Sequence, residues 1–332
     1  MIKIEHLSKH FRVAQPGAGL SGKLKSLVAP RYRDIHAVDD VNLSIAQGEI
    51  VGYLGPNGAG KSTTIKILTG VLVPSAGKVT VNGLVPYQNR VRNAYQIGVV
   101  YGQRSQLWWD LPLLDSFEIL SAMYKVPQLR YQSQLAFLVD LLQMKEFIDQ
   151  PVRKLSLGQR MKGDIVAALL HEPPILYLDE PTIGLDVVSK NSILRFLSEL
   201  NAAKQTTILL TTHNLADVER FCRRIVIIDK GKVILDDSPE AILRQFGQRR
   251  LLRVEFDAEA PHLDLTVGHG RVVRREANAV WIEFDRDEIS GFDLISSLDK
   301  NSGIRDVSLQ DATIETIVTK IYEDSAGVAA AP

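Results

Sequence analysis

The chain has 332 residues, 45% of them hydrophobic, and its 39 Lys plus Arg balance 39 Asp plus Glu. That length suggests two domains or one with an appendage, and a net charge of zero leaves no global field to draw in nucleic acid or an anionic membrane surface. The single cysteine, Cys222, excludes an internal disulfide framework and a cysteine metal cluster. The opening MIKIEHLSKHF has no long apolar core, and nowhere do about 18 uncharged apolar residues run together, so neither a secretory signal nor a span of the chain's own is expected.

In chain order, β-rich and partly alternating patterns at 2–5 and 38–45 predict strands. Between them, QPGAGLSGKLKSLVAPRYRD has Gly and Pro at its start, with Lys23, Lys25, Arg31 and Arg33 making its second half basic. It reads as an exposed insertion, 14–36, in a β-hairpin, either a solvated loop or a docking or nucleotide-edge element. From Glu49 the order is strand (50–54), Gly-rich loop and helix (61–69), followed by a short hairpin through 78–82. Residues 112–147 are mostly helical, with apolar repeats at Phe117, Leu120 and Met123 and later at Leu135, Leu138, Leu141 and Leu142. Strands recur at 175–178, 207–211 and 225–229, each beside a helical stretch. Such βα repeats predict an α/β fold, a largely parallel sheet with helices on both faces, which binds ligands outside the carboxyl ends of its strands. After a break near 238–247, LLRVEF, VVRREANAVWIEF and IRDVSLQ read as strands and 292–298 and 312–322 as helices. This predicts a small α+β domain over 241–325 and a loose tail at 326–332. Its apolar face would carry Val280, Ile282 and Phe284, alternating with Glu283 and Asp285.

GPNGAGKS, comprising Gly55, Pro56, Asn57, Gly58, Ala59, Gly60, Lys61 and Ser62, matches the P-loop pattern between a strand and a helix, the context that gives the pattern meaning. Glycines let backbone N–H groups turn inward around phosphate oxygens, and the helix that begins at Lys61 adds its positive end. Lys61 would reach the β- and γ-phosphates and Ser62 would ligate Mg²⁺; Thr63 extends the motif. ILYLDE supplies a buried strand ending in two acids. Asp179 is placed to hold Mg²⁺, and Glu180 is the candidate base that polarises the attacking water.

With GPNGAGKST, Gln103, LSLGQR, ILYLDEPT, GLD and His213 in this order, the chain resembles the nucleotide-binding subunit of an ABC transporter, strongly over residues 1 to about 240. The resemblance implies a P-loop NTPase ABC ATPase domain over 1–240, with a helical signature subdomain at about 105–170. It implies ATP and Mg²⁺ as cofactors, and two subunits bound head to tail around two ATPs, each P-loop facing the other copy's signature. Gln103 would contact Mg²⁺ and the attacking water; Ser156, Gly158 and Gln159 would cap the opposite γ-phosphate. Asp186 would communicate across the dimer, while His213 would touch the γ-phosphate and orient Glu180. Adenine needs an aromatic platform, and the candidates are Phe11 and Tyr32; the spacing of Tyr32, 23 residues before Gly55, looks more like the family.

The family pattern at the signature is LSGGQ, and here Leu157 replaces the first glycine. If that glycine served positive φ or direct phosphate contact, leucine would block closure. If only its N–H contributed, leucine would be tolerated, and the survival of Ser156, Gly158, Gln159, Glu180 and His213 favours that case. Arg160 and Lys162, in the helix that follows to Leu170, read as solvated residues on its exposed side. Trp108 and Trp109 are either permease contacts or core. Within the family, TIGLDVVSK and the LDDSPEAILRQF linker most resemble subunits of bacterial ABC-2 type exporters, the group of drug, antibiotic and polysaccharide exporters; the insertion departs from many relatives. The resemblance thus implies an ATPase at the cytoplasmic face of the membrane, partnered by a polytopic permease from separate chains and by a second ATPase subunit, a homodimer, with no nucleic acid expected. The alternative is a soluble ABC-type ATPase with a regulatory or stress role. Recovery with a polytopic membrane protein separates the two.

Overall fold

The computed structural model describes residues 1–15, 31–102, 104–212, 214–258, 270–298 and 303–326. It divides into two units, Met1–Asp236 and Asp237–Pro332.

In the first unit, Ile2 and Ile4 alternate inward along β1 (Ile2–Gln15), a register shift after Ile4 brings Leu7 in as well, and Val41, Leu43 and Ile45 alternate inward along β2 (Arg31–Ile45). The two strands pair antiparallel from Ile2↔Ile45 out to Gln15↔Arg31. The ribbon therefore continues into the predicted insertion, whose residues 16–30 lie outside the described ones. Its outer part escapes a reading by alternation because Val13, Tyr32 and Ile35 are exposed and no buried face imposes a period of two. A T-shaped His10–His36 pair and the Arg12 guanidinium over the Tyr32 ring tie it across the strands.

β3 (Ile50–Leu54) leads into helix α1 (Lys61–Leu68). The residues predicted as a local hairpin at 78–82 form instead β4 (Ala76–Val81), which pairs antiparallel with β1. The free edge of β1 captures this segment, and only the Val81–Leu84 bridge closes locally. Helix α2 (Arg90–Ala94) precedes β5 (Ile97–Tyr101). Helices α3 (Leu113–Met123), α4 (Gln128–Leu141) and α5 (Leu157–Leu169) form the helical part. Phe117, Leu120, Leu138 and Leu142 are buried there as their spacing predicts, whereas Met123 at the end of α3 is exposed. Then follow β6 (Ile175–Asp179), α6 (Val187–Lys204), β7 (Thr207–Thr212), α7 (Leu215–Phe221), β8 (Arg224–Asp229) and β9 (Lys232–Asp237). The six-stranded sheet has the order β5-β6-β7-β3-β8-β9, with parallel pairing from β5 through β8. Its buried strands are near-continuous apolar runs because both faces are covered. Ile65, Ile67 and Leu68 of α1 join side chains of both sheets in one core. Arg224 fastens the sheet ends together, donating twice to Asp236 and once each to Glu49 and the Ser44 carbonyl.

The second unit opens with α8 (Pro239–Phe246), capped by Ser238 and carrying Pro239 in its first turn. Strands β10 (Arg249–Phe256), β11 (Gly270–Glu276), β12 (Ala279–Asp285) and β13 (Ile304–Gln310) form an antiparallel sheet of order β11-β12-β10-β13. Leu252, Val254, Phe256, Val280, Ile282 and Phe284 bury one face against Leu294 of α9 (Gly291–Ser297) and Leu298. Helix α10 (Ile314–Ala326) ends the described chain, and its Lys320 pairs with Glu283.

Candidate nucleotide site and signature helix

β3 lies between β7 and β8 with all five residues buried, so the loop after Leu54 emerges at the carboxyl ends of three parallel strands. The glycines of this loop answer to specific constraints. Gly60 has φ 109°, and a Cβ on it would sit 2.2 Å from the Ala37 carbonyl oxygen. At Gly55 a Cβ would come within 2.6 Å of the Ile228 oxygen, whereas Gly58, at φ 85°, faces open space. Ala59 N–H donates to the Pro56 oxygen and closes the turn. Asn57 is exposed, and Thr63 in the first turn of α1 is half-buried. That turn has neither a side-chain cap nor an acid, leaving its amide donors and positive end to an anion. Lys61, 7% exposed, donates to the Gly55 oxygen at 2.6 Å and the Pro56 oxygen at 3.3 Å. The loop's own carbonyls thus hold the ammonium at the cradle.

The two acids lie at the end of β6. Asp179 Oδ1 accepts from Ser62 Oγ at 3.2 Å and from Thr211 Oγ1 at 2.6 Å. Glu180 has φ 56°, and its N–H donates to both the carbonyl and the hydroxyl oxygen of Thr211, each at 3.1 Å. The left-handed turn separates the two carboxylates, bringing Glu180 Oε1 within 3.6 Å of Lys61 Nζ. Thr211 of β7 thus organises both acids, and motif reading missed it; the signal was its place in TTH directly ahead of His213. Gly102 also belongs to the site. Its N–H donates to the Asp179 oxygen, and a Cβ there would meet the Glu180 oxygen at 2.1 Å. Gln103 follows Gly102, and His213 follows Thr212 at the end of β7; both lie outside the described residues.

The signature opens α5. Ser156 is its N-cap, accepting from Gln159 N–H at 3.2 Å, while Gln159 Oε1 accepts from Ser156 N–H at 2.9 Å. This capping box leaves the serine hydroxyl proton free to donate outward. Asp186 caps α6, with Oδ1 accepting from Ser189 N–H and Oδ2 from Ser189 Oγ.

The family model for ABC transporters matches residues 38–183. The ABC transporter ATP-binding protein NatA of Bacillus subtilis is 32% identical over 64% of this chain and 87% of its own length. The Nod factor export ATP-binding protein I of Ralstonia nicotianae is 34% identical over 65% of this chain and 67% of its own. Among solved structures, the dimeric post-hydrolysis state of the ATP-binding cassette MJ0796 bound to ADP and phosphate superposes with a TM-score of 0.60. It is 25% identical and covers 72% of this chain and 98% of its own. The chain belongs to the ABC transporter ATP-binding subunits.

As an ABC ATPase subunit it binds and hydrolyses ATP with Mg²⁺. The residues fit both groups: an open glycine cradle with a buried lysine suits polyphosphate, and Ser62 Oγ beside Asp179 Oδ1 offers the hard oxygen donors Mg²⁺ takes.

Leu157 meets no backbone strain at its position in the signature. It is the first residue of α5 and has no positive φ. Its Cδ2 points to Gly184, where it would lie 3.2 Å from an added Cβ. Leucine here therefore needs no strained backbone, and its side chain packs toward Gly184. Gly158 is the constrained glycine, since a Cβ on it would lie 2.5 Å from Ser189 Oγ. The neighbouring basic residues are not simply solvated: Lys162 donates to the Leu142 carbonyl, and Arg160 lies over the Trp109 ring, 5.6 Å from its centroid. Trp108 and Trp109 are 39% and 54% exposed, which removes the core reading for both.

Asp164 on α5 was another silent position. It is buried, and its Oδ1 accepts from Ser105 Oγ at 2.9 Å and Gln106 N–H at 3.0 Å, tying the segment after Gln103 to the signature helix. Burial raises its carboxyl from 3.8 to about 6, against the opposing pull of those two bonds and of Arg160. Between those values the folded chain holds a proton that the unfolded chain has lost, so stability falls as pH rises through the window, by at most about 3 kcal/mol. Asp164→Asn removes this dependence. Its melting temperature relative to the parent is expected to climb from pH 4 to pH 6.5, and a flat difference in calorimetry would refute the assignment.

The two adenine candidates differ in reach. Phe11 pairs with Ile35, two residues from the Ala37 carbonyl that abuts Gly60. Tyr32 pairs with Ala14, five residues and about 16 Å along the strand from Ala37. Tyr32 is exposed, with the Arg12 guanidinium on its ring.

Proposed function

We propose that this chain energises a membrane exporter by nucleotide-driven closure of two copies, head to tail, around two ATPs. The observation that carries the reading is the joint survival of Lys61, Ser62, Asp179, Thr211 and Glu180 around one cradle, together with a capped signature serine. A degenerate half-site would lack part of this set. Lys61 exchanges its carbonyl partners for the β- and γ-phosphate oxygens. Ser62 and Asp179 hold Mg²⁺, which when bound neutralises charge developing on the phosphates. Glu180 takes a proton from the water that attacks the γ-phosphorus while the bond to the β-phosphate oxygen breaks. Gln103 and His213 flank that water and the γ-phosphate. Ser156, Gly158 and Gln159 of the second copy close over it, and Asp186 faces the opposite site. The Trp108–Trp109 surface meets the permease.

Phe11 is the adenine platform on this reading, in place of Tyr32, because the ribbon register keeps it near the P-loop. Phe11→Ala is expected to weaken ATP binding about tenfold, the loss of one base–aromatic stack, with Tyr32→Ala near neutral; calorimetric titration giving the reverse order would restore Tyr32.

The exporter assignment draws support from the relative named for Nod factor export, and no helix among the described residues is long and apolar enough to cross a membrane. The subunit then sits at the cytoplasmic face through its permease. The test is purification of the tagged chain from gently solubilised membranes with intact-mass stoichiometry. Two copies with a polytopic membrane protein support the proposal; recovery from the soluble fraction alone, without a membrane partner, contradicts it.

A further inference from the structure

The start of α5 is wedged against the segment that follows Glu180 in the same chain. Leu157 Cδ2 fills the space above Gly184, and Ser189 fills the space above Gly158, where an added Cβ would meet Ser189 Oγ at 2.5 Å and Ser189 Cβ at 2.8 Å. The Ser189 hydroxyl donates to Asp186 Oδ2 at 2.6 Å, and its N–H donates to Asp186 Oδ1 at 2.9 Å. These bonds, the hydroxyl one foremost, hold the exposed Asp186 carboxyl below its ordinary range. One serine is therefore hydrogen-bonded to the Asp186 carboxylate and packed closely over the signature glycine.

We propose that Ser189 is a positioning residue that sets where the 156–159 backbone sits relative to the Asp186 segment, so that the two surfaces a second copy must meet move as one block. The proposal rests on the head-to-tail closure above. Helix capping alone is a different role, and the geometry separates them. The capping bond from Ser189 N–H survives removal of the hydroxyl, whereas the contact above Gly158 and the Asp186 Oδ2 bond do not. Leu157, whose Cδ2 packs over Gly184, supports the same block through a contact that a glycine could not make.

The test uses Glu180→Gln as parent and follows two quantities. One is the ATP concentration at half-maximal dimer formation, by sedimentation velocity; the other is ATP affinity of the monomer, by a fluorescent analogue at high dilution. Ser189→Ala is expected to raise the dimerisation midpoint about fivefold, the scale of one hydrogen bond, with monomer affinity unchanged. Gly158→Ala should raise it further, and adding Ser189→Gly should reverse part of that loss by vacating the contact. Two outcomes overturn the proposal: a midpoint within about twofold of the parent for Ser189→Ala, judged against the same scale, or a parallel fall in monomer affinity, the mark of general destabilisation. A Glu180→Gln parent that stays monomeric with ATP overturns the closure reading itself, and this proposal with it.

Discussion

Replacing Glu180 with glutamine is expected to lower ATP turnover by about 10²–10⁴-fold, the usual contribution of a positioned general base, while ATP binding survives. Glutamine keeps the shape of the side chain and loses the capacity to take a proton. The backbone at 180 is in the left-handed region, and its N–H is held twice by Thr211. The turn is thus fixed by the main chain and by Thr211, and it does not depend on the carboxylate. The 3.6 Å contact with Lys61 is lost as an ion pair, but Lys61 retains the Gly55 and Pro56 oxygens. Phosphate release at saturating ATP, beside a binding isotherm for each protein, separates the two quantities. Turnover above a tenth of the parent's rate, against that expected range, would assign the base elsewhere.

Lys61→Met is expected to act on the other quantity. The ammonium is nearly buried and already directed into the cradle by two carbonyls. Methionine fills the stem's volume, and the loop keeps its Ala59-to-Pro56 and Thr64-to-Gly60 backbone bonds. The change therefore deletes a charge with little disturbance of shape. Charge-assisted bonds to phosphate contribute about 1.5–3 kcal/mol each, so ATP affinity should fall roughly 10- to 100-fold, with turnover undetectable at ordinary ATP concentrations. Calorimetric titration with an unchanged affinity and an unchanged melting temperature would remove Lys61 from the phosphate site.

The two variants concern residues that the sequence announces plainly, and the reason is physical. A P-loop is a local device: turn, glycines, lysine and helix start lie within one short stretch, and the acids end a strand whose apolar run is unmistakable. Long-range partners are less visible. Thr211 and Gly102 matter because β6 lies beside β5 and β7, and no spacing along the chain encodes that neighbourhood. Ser189 and Asp164 likewise act through packing of α5 on α6 and on the segment at 105–106. Counting residues to the P-loop favours Tyr32 as the adenine platform, whereas the strand register favours the proposed Phe11. In a ribbon both strands lengthen together, so distance follows register, and Phe11 opposite Ile35 stays near Ala37 while Tyr32 is carried outward. The same ribbon hid its strands because its described outer part, with Val13, Tyr32 and Ile35 exposed, buries no face. Leu157 was legible only as a departure; its helical backbone and its packing over Gly184 became visible only in the fold.

The central claim is that each copy's P-loop faces the LSLGQR of a second copy across ATP. The chain suits thiol cross-linking, since its single native cysteine, Cys222, is buried, which pushes its thiol well above the ordinary range. Asn57→Cys in the exposed part of the P-loop and Lys154→Cys, exposed just ahead of the signature serine, combined on the Glu180→Gln parent, place one thiol on each surface. With a short bifunctional reagent, a covalent dimer that forms only with ATP and only when both cysteines are present is the predicted result. A protein that binds ATP yet gives no such dimer, or gives it equally with either cysteine alone, would contradict the account.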